Sequence, residues 1–392
     1  MALSRFDVDV NGSGMRVTAR QLNRATLARQ MLLHRESSDV DDAVRRIVAV
    51  QAQEAASPYL ALWNRVADFD PADLDAAFAA RAVVKATLMR ATLHAVHSED
   101  YPAFHNAVLR GLRTSRLGDP RFKVSGLSPA EVDALLPDLA KFAARPRTRA
   151  EIEDLLEVRL GERKPGVWWA LRTFAPLHHA PTGGPWSFGR SPSFIAARTK
   201  PAPESQDESM QRLVLRYLQA FGPATVADIA QFTQLSGRWR CKPALQALGG
   251  KVQELEGPDA TTLFDLPEAP LPAADTVAAP RLLPMWDSIL LAYSDRSRVI
   301  PPDYRPLVIR QNGDVLPTLL VDGYVAGVWR PVERGIEVTA FHLLDEEVWN
   351  GLEEEASALV AFLADREPTV YGRYAHWWTK QMPSTEVRLL PS

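Results

Sequence analysis

Apolar positions in the first third of the chain recur at helical spacing. Residues 18–33 predict a helix capped by Thr18, with Leu22, Ala25, Leu27 and Met31 available to a core. Residues 39–56 predict a second helix, opened by Asp39 with Asp41 and Asp42 in its first turn. Its stripe runs Val40, Val44, Ile47, Val48, and the next position on that stripe is Gln51. An amide there must find hydrogen-bond partners, because burying it unsatisfied costs about 1–3 kcal/mol. Gln53 lies two residues on, and residues two apart on a helix point about 200° away from each other. Both amides share one cavity only if the helix bends or ends near Gln53; Ser57-Pro58 just downstream disfavours helix at Ser57. Spacing by itself favours the plainer reading of two surface or capping glutamines.

Two more helical pieces follow at 58–66 and 70–80, the latter beginning Asp70-Pro71. Residues 83–96 alternate and predict a two-stranded ribbon, with Thr92 and His94 on one face and Leu93 and Ala95 on the other. Helices followed by a ribbon are the order of a winged helix-turn-helix. That order recurs at 128–143, 148–159 (a Thr148/Glu151 capping box) and 168–173, with a wing at 177–195 around Gly183-Gly184-Pro185. After a polar linker at 201–207 it recurs again: helices 208–220, 225–235 and a candidate recognition helix 238–248, then strands 252–255 and 261–266. Residues 267–280, rich in proline and alanine, read as a linker. The last part is mostly strand. Residues 307–310 and 315–321 flank Gln311-Asn312-Gly313-Asp314 as a hairpin, with strands 324–329 and 335–341 after Asp322-Gly323. An acidic helix, 345–365, closes the chain. The predicted fold is α+β: three tandem winged helix-turn-helix units (1–125, 126–200, 201–280) and a small C-terminal β domain with a closing helix (281–392).

Composition narrows the class. At 392 residues, with 46 % hydrophobic and 24 % charged residues, the chain has the make-up of a globular protein of two or three domains. It shows neither an 18-residue apolar run nor an apolar leader core, so a cytoplasmic protein with no membrane partner is expected. The single cysteine, Cys241, excludes an internal disulfide and any cysteine-cluster metal site, and the pairs His94/His97 and His178/His179 make poor metal sites without thiolates. No metal and no cofactor are expected. The net charge of −3 conceals two basic segments, 81–123 and 142–200, each carrying a net +5, balanced by the acidic stretch 341–367. A local basic surface is what phosphate contact needs, although a solvated charged face has the same composition.

Several stretches together resemble the AlkZ-like family of bacterial DNA glycosylases: Val50-Gln-Ala-Gln53, Met89-Arg-Ala-Thr-Leu-His94 leading to Asp100-Tyr101, Leu283-Pro-Met-Trp-Asp287, Asp295-Arg-Ser-Arg298, and Asn312-Gly313 followed by Val321-Asp-Gly323 and Gly327-Val-Trp329. The resemblance extends from about residue 17 to about residue 380, nearly the whole chain. The resemblance implies a C-shaped molecule with a DNA-binding concavity, in which Gln51 and Gln53 line the catalytic site of a monofunctional glycosylase for alkylated purines. Gln53 groups the chain with Gln-x-Gln members, typified by self-resistance enzymes for DNA-alkylating natural products, rather than with Gln-x-Asp members. The expected partner is double-stranded DNA carrying an alkylated guanine, met at the bacterial nucleoid by a monomer, with no protein partner implied. Arg90, Thr92 and His94 are candidates to contact DNA or to hold the glutamine-bearing helix; Arg296 and Arg298 are candidates for phosphates, and Arg310, Gln311 and Asn312 for a groove. Two other readings share the same elements: a winged-helix transcriptional regulator, usually dimeric, and a DNA-damage binder without turnover. Neither gives a reason for an amide at Gln51.

Overall fold

In a computed structural model, which describes residues 16–198, 204–233, 241–379, 382 and 384–391, helix α1 (Ala19–Arg29) begins where the pattern predicts. Thr18 and Gln21 exchange hydrogen bonds in a capping box, at 3.2 and 3.0 Å. Helix α2 (Val40–Ile47) corrects the expectation of a helix to residue 56. Val48 adopts φ +73°, ψ −56°, and the Ala49 N–H donates to the Ile47 carbonyl at 3.0 Å, a γ-turn that stops the helix. The chain leaves it extended as β1 (Val50–Gln51). Helices α3 (Ser57–Trp63) and α4 (Pro71–Ala80) follow, then the predicted ribbon, β2 (Val83–Thr87) and β3 (Leu93–His97).

The next elements are α5 (Tyr101–Leu117) and α6 (Pro120–Lys123), both absent from the pattern reading, then α7 (Pro129–Phe142), β4 (Arg147–Thr148), α8 (Arg149–Leu160), α9 (Val167–Phe174), β5 (Leu177–Ala180) and β6 (Ser193–Ala196). The two ribbons do not stand apart as separate wings. They join through Lys85 opposite His179 into one sheet of order β1-β3-β2-β5-β6-β4. Helices α10 (Gln206–Phe221), α11 (Val226–Thr233) and α12 (Cys241–Leu248) precede the two-stranded β7 (Gln253–Glu256) and β8 (Thr262–Asp265). The expected ends of α11 at 235 and of α12 from 238 lie outside the described residues. Helix α10 lies along α5 and buries Leu213, Val214, Tyr217, Leu218 and Phe221 in a core continuous with that of the first unit.

The C-terminal part adds β9 (Arg281–Leu283), α13 (Arg305–Val308), β10 (Thr318–Val321), β11 (Tyr324–Val332), β12 (Gly335–Ala340), α14 (Glu346–Ala364) and β13 (Glu386–Leu390), in an antiparallel sheet of order β13-β12-β11-β10-β9. Two expectations are corrected. Residues 305–308 are helical, so the Asn312-Gly313 turn joins only an Ile309–Val315 bridge instead of a long hairpin. The acidic helix does not close the chain, since β13 returns to pair with β12. The Asp322-Gly323 turn has φ +49° and +80°, the paired positive values of a tight hairpin, and α1 grips it: Arg20 and Arg24 bind the Asp322 carboxylate, and the Asn23 amide donates to the Gly323 carbonyl at 2.8 Å. The proline-rich stretch is a strap across α1 instead of a free linker, because its carbonyls at Pro270, Ala274 and Thr276 accept from Arg29, Arg20 and Arg24. Among the described residues no helix is long and apolar enough to cross a membrane.

One buried ion pair fastens the first unit to the β part. Arg65 and Asp287, both buried, meet through two parallel hydrogen bonds of 2.8 Å each. Removing one partner strands a charge in the core. Asp287→Ala is expected to lower unfolding stability by about 3–5 kcal/mol, whereas the paired replacement Arg65→Met with Asp287→Leu recovers most of it; the midpoint of urea denaturation for each variant measures both effects.

Candidate active site

Helix α2 ends at Ile47, four residues upstream of Gln51, so the two amides do not lie on opposite sides of a helix. Gln51 sits on β1 opposite His94 of β3, and the Ala52 N–H continues the pairing to the Leu93 carbonyl at 2.8 Å. Gln53 lies beyond β1, in the bend that leads into α3. Gln51 is 2 % exposed and Gln53 is exposed, so the two amides run from the interior to the surface. The Gln53 carbonyl accepts from the Leu93 N–H at 3.3 Å.

Arg90 lies in the turn between β2 and β3, where it and Ala91 hold left-handed φ of +56° and +55°. Its guanidinium donates to Gln51 Oε1 at 2.8 Å and to His94 Nε2 at 3.2 Å, and lies over the Phe232 ring at 5.3 Å. Arginine only donates, so both partner atoms must accept. This fixes the Gln51 amide with its oxygen toward Arg90. It also fixes the His94 tautomer: the ring proton is on Nδ1 and donates to the Thr92 carbonyl at 3.1 Å. Burial, then the neighbouring Arg90 charge, hold His94 well below the ordinary imidazole range, so it is neutral. Burial, reinforced by Arg296, pulls Arg90 down to about 10. The guanidinium stays protonated at neutral pH, and no carboxylate lies within ion-pair distance of it among the described residues.

The remaining predicted residues divide. The expectation that His94 touches DNA is corrected, since its side chain is wholly buried. Thr92 turns its hydroxyl onto the Met89 carbonyl at 3.1 Å. Arg298 is spent internally, donating to the Pro223 carbonyl at 2.8 Å and covering the Tyr293 ring at 4.2 Å. Arg296 and Arg310 are half-buried and keep guanidinium nitrogens without hydrogen-bond partners among the described residues; Arg310 lies over Trp377 at 5.0 Å. Gln311 and Asn312 are exposed at the turn, with the Asn312 amide donating to Asp314 at 3.0 Å. Much of the two basic segments is neutralised in place: Arg113 pairs with Asp133, Arg121 with Asp119, Arg147 with Glu151, Arg149 with Glu153, and Arg159 with Asp138.

The pattern reading missed the C-terminal side of the site. Glu54, next to Gln53, accepts from the Tyr374 hydroxyl at 2.9 Å and from Arg373, and Tyr374 packs edge-on to Trp286 at 5.5 Å. Ser288 donates to the Ala49 carbonyl at 2.6 Å, just before β1. The aromatic density of Tyr371, Tyr374, Trp377 and Trp378 was the available signal. Among the described residues no group of three histidine, cysteine or acidic side chains is placed to hold a metal.

A family model described as DNA glycosylase AlkZ-like matches residues 44–362. An interstrand DNA cross-link repair glycosylase of Streptomyces sahachiroi is 28 % identical over 361 residues, an alignment that spans 88 % of this chain and 96 % of the relative. The solved structure of Streptomyces sahachiroi DNA glycosylase AlkZ superposes with a TM-score of 0.76 at 24 % identity, over 88 % of this chain and 96 % of that one, and shares the fold.

His94 generates a pH dependence. On unfolding, its ring regains an ordinary pKa near 6.5 and takes up a proton below that pH, while the folded ring does not. Its contribution to stability is therefore complete above about pH 6.5 and lost progressively as pH falls. His178 and His179, pushed down to about 3 by burial and then by cationic neighbours, act in the same direction. Urea midpoints are expected to drop between pH 7 and pH 5, and His94→Gln is expected to flatten that slope by up to about 1.4 kcal/mol per pH unit.

Proposed function

Since the chain belongs to the AlkZ-like family of DNA glycosylases, we propose that it is a monofunctional glycosylase that excises cationic N7-alkylated purines from duplex DNA, bulky natural-product guanine adducts or interstrand crosslinks among them. The observation that carries this is the pair of glutamine amides, one on β1 and one in the bend two residues on, with no carboxylate bonded to either among the described residues. Glutamine accepts and donates hydrogen bonds but cannot act as a general base. An N7-alkylguanine needs little acid or base help: its ring already carries the positive charge, and it departs neutral when the C1′–N9 bond breaks and the bonding pair moves onto the base. The water oxygen then bonds to C1′ and its proton leaves to solvent. The enzyme's share is to hold that water against the sugar as oxocarbenium character develops, which is positioning and dipole work.

Gln51 and Gln53 are the proposed catalytic residues. Each carbonyl spends one lone pair inside the protein, on Arg90 and on the Leu93 N–H, and retains another for the water. Hydrolysis without a lyase step is supported by the surroundings of Lys85. It precedes Ala86, the partner of His94, and so falls on the opposite face of the sheet, with its ammonium over the Phe188 ring at 4.4 Å. Arg296, Arg310, Gln311 and Asn312 are proposed to meet DNA. Arg90 and His94 serve Gln51 instead, and Thr92 and Arg298 hold the backbone. In this reading the parts 1–125, 126–200 and 201–280 act as winged helix-turn-helix units and, with 281–392, form a C-shaped DNA-binding concavity, the enzyme working as a monomer for repair or self-resistance.

A single-turnover assay on duplex DNA with a site-specific N7-alkylguanine tests this. Base release is expected from the wild type; Gln51→Ala and Gln53→Ala are each expected to lose about 100-fold or more in rate while still binding the duplex. The neutral adduct ethenoadenine is expected to stay in place, and its efficient release would overturn the amide mechanism.

A further inference from the structure

We infer that Arg90 is a positioning residue of this reaction, acting through Gln51: it holds the amide oxygen and leaves the amide NH2, which has no partner among the described residues, as the group that meets the substrate. The inference rests on the proposed glycosylase reading.

Four features support it. The guanidinium distributes its donors among neutral acceptors, Gln51 Oε1 at 2.8 Å, His94 Nε2 at 3.2 Å and the Phe232 carbonyl at 3.4 Å, with the Phe232 ring below. A group engaged in that way is not free to reach out to a phosphate. The turn that presents it has left-handed backbone at both Arg90 and Ala91, neither a glycine, a costly conformation that persists only where the surroundings impose it. His94 is locked in one tautomer by Thr92, so Nε2 always accepts and steers the guanidinium. Finally, a full positive charge set directly against a cationic purine would oppose binding. Passed through an amide it becomes a polarised N–H donor, since hydrogen bonds in a chain strengthen one another. Phe232, of α11, also brings the third helical group into register with the catalytic strand.

Lysine keeps the charge but not the planar fork that reaches Gln51 and His94 together. Arg90→Lys is expected to slow single-turnover base release by about 10- to 100-fold, with the duplex Kd and its salt dependence unchanged. In a Gln51→Ala background the same substitution is expected to cost nothing further, because the residue through which it acts is gone. Arg90→Met repeats the comparison if the buried ammonium of the lysine variant prevents folding, which a thermal melt reports. A weaker Kd with a salt slope reduced by about one would make Arg90 a phosphate contact and overturn the inference. So would losses from Arg90→Lys and Gln51→Ala that simply multiply. A wild type that releases no base overturns the glycosylase reading and this inference together, whereas an active wild type with multiplying losses overturns this inference alone.

Discussion

The site depends on how α2 ends. A helix stopped abruptly in the interior leaves carbonyls that must be satisfied there. Two of them have specific partners, Arg45 O taking the Val48 N–H and the Arg216 guanidinium and Ile47 O the Ala49 N–H and the Gln30 amide, and beyond the turn Ala49 O takes the Ser288 hydroxyl. Val48 is wholly buried and β-branched, the side-chain type least tolerant of positive φ. The strain is held by packing around it, and its effect is to turn the chain from helix to strand within two residues. Without that turn Gln51 and Gln53 lie on opposite sides of a helix; with it Gln51 pairs against β3 and Gln53, in the bend that follows, accepts from the Leu93 N–H of the same strand.

A second constraint is electrostatic. Other buried arginines are matched by carboxylates, as in Arg29 with Asp265 and, beside Gln51 itself, Arg65 with Asp287. Arg90 is matched instead by an amide oxygen, a neutral imidazole and an aromatic face. A carboxylate there would rotate the guanidinium away from Gln51 and, in the reaction proposed above, place an anion beside the cationic lesion, where it would stabilise the bound adduct before bond cleavage as well as during it. Neutral dipoles hold the geometry without that ground-state stabilisation. Glu54 is the carboxylate nearest in sequence, and it is occupied by Arg373 and Tyr374.

Local chemistry made much of the fold legible. Thr18 and the Thr148/Glu151 capping box mark the starts of two helices as read, and the ribbons follow from alternation. The capping box at Ser205, inside the stretch read as a polar linker, starts α10 at Gln206, two residues before the expected start. Where the reading failed, a competing signal was present. Four apolar positions, Val40 to Val48, match a 3.6-residue period too briefly to fix an end, and the β-branched Ile47, Val48 and Val50 favoured extension after them. Pro306 sits in the first turn of α13, which is why the Asn312-Gly313 turn has no strand before it. Phe104, Val108 and Leu112 carry the stripe of α5 at i, i+4 and i+8, beneath the basic charge that dominates that stretch. The Gln-x-Gln motif itself was legible; Arg90's hold on Gln51 was not, because it depends on a left-handed turn between two strands and on Phe232, far along the chain.

Those long-range dependencies set the character of the site. Gln51 takes its orientation from Arg90 in the β2–β3 turn, Arg90 leans on Phe232 of α11, the Ala49 carbonyl is held by Ser288 after β9, and Glu54 by Tyr374 near the C-terminus. Helix α1 ties the same parts from another side, through Asp322, Tyr293, Asp265 and the Ala220 carbonyl. A pair of amides has little intrinsic reactivity, so nearly all of its effect must come from being held still. Distributing the supports over the first and third helical parts and the C-terminal part makes that rigidity a property of long-range packing. A loosened contact far from Gln51 is then felt at its amide, which is the consequence of positioning in place of acid or base in the proposed reaction.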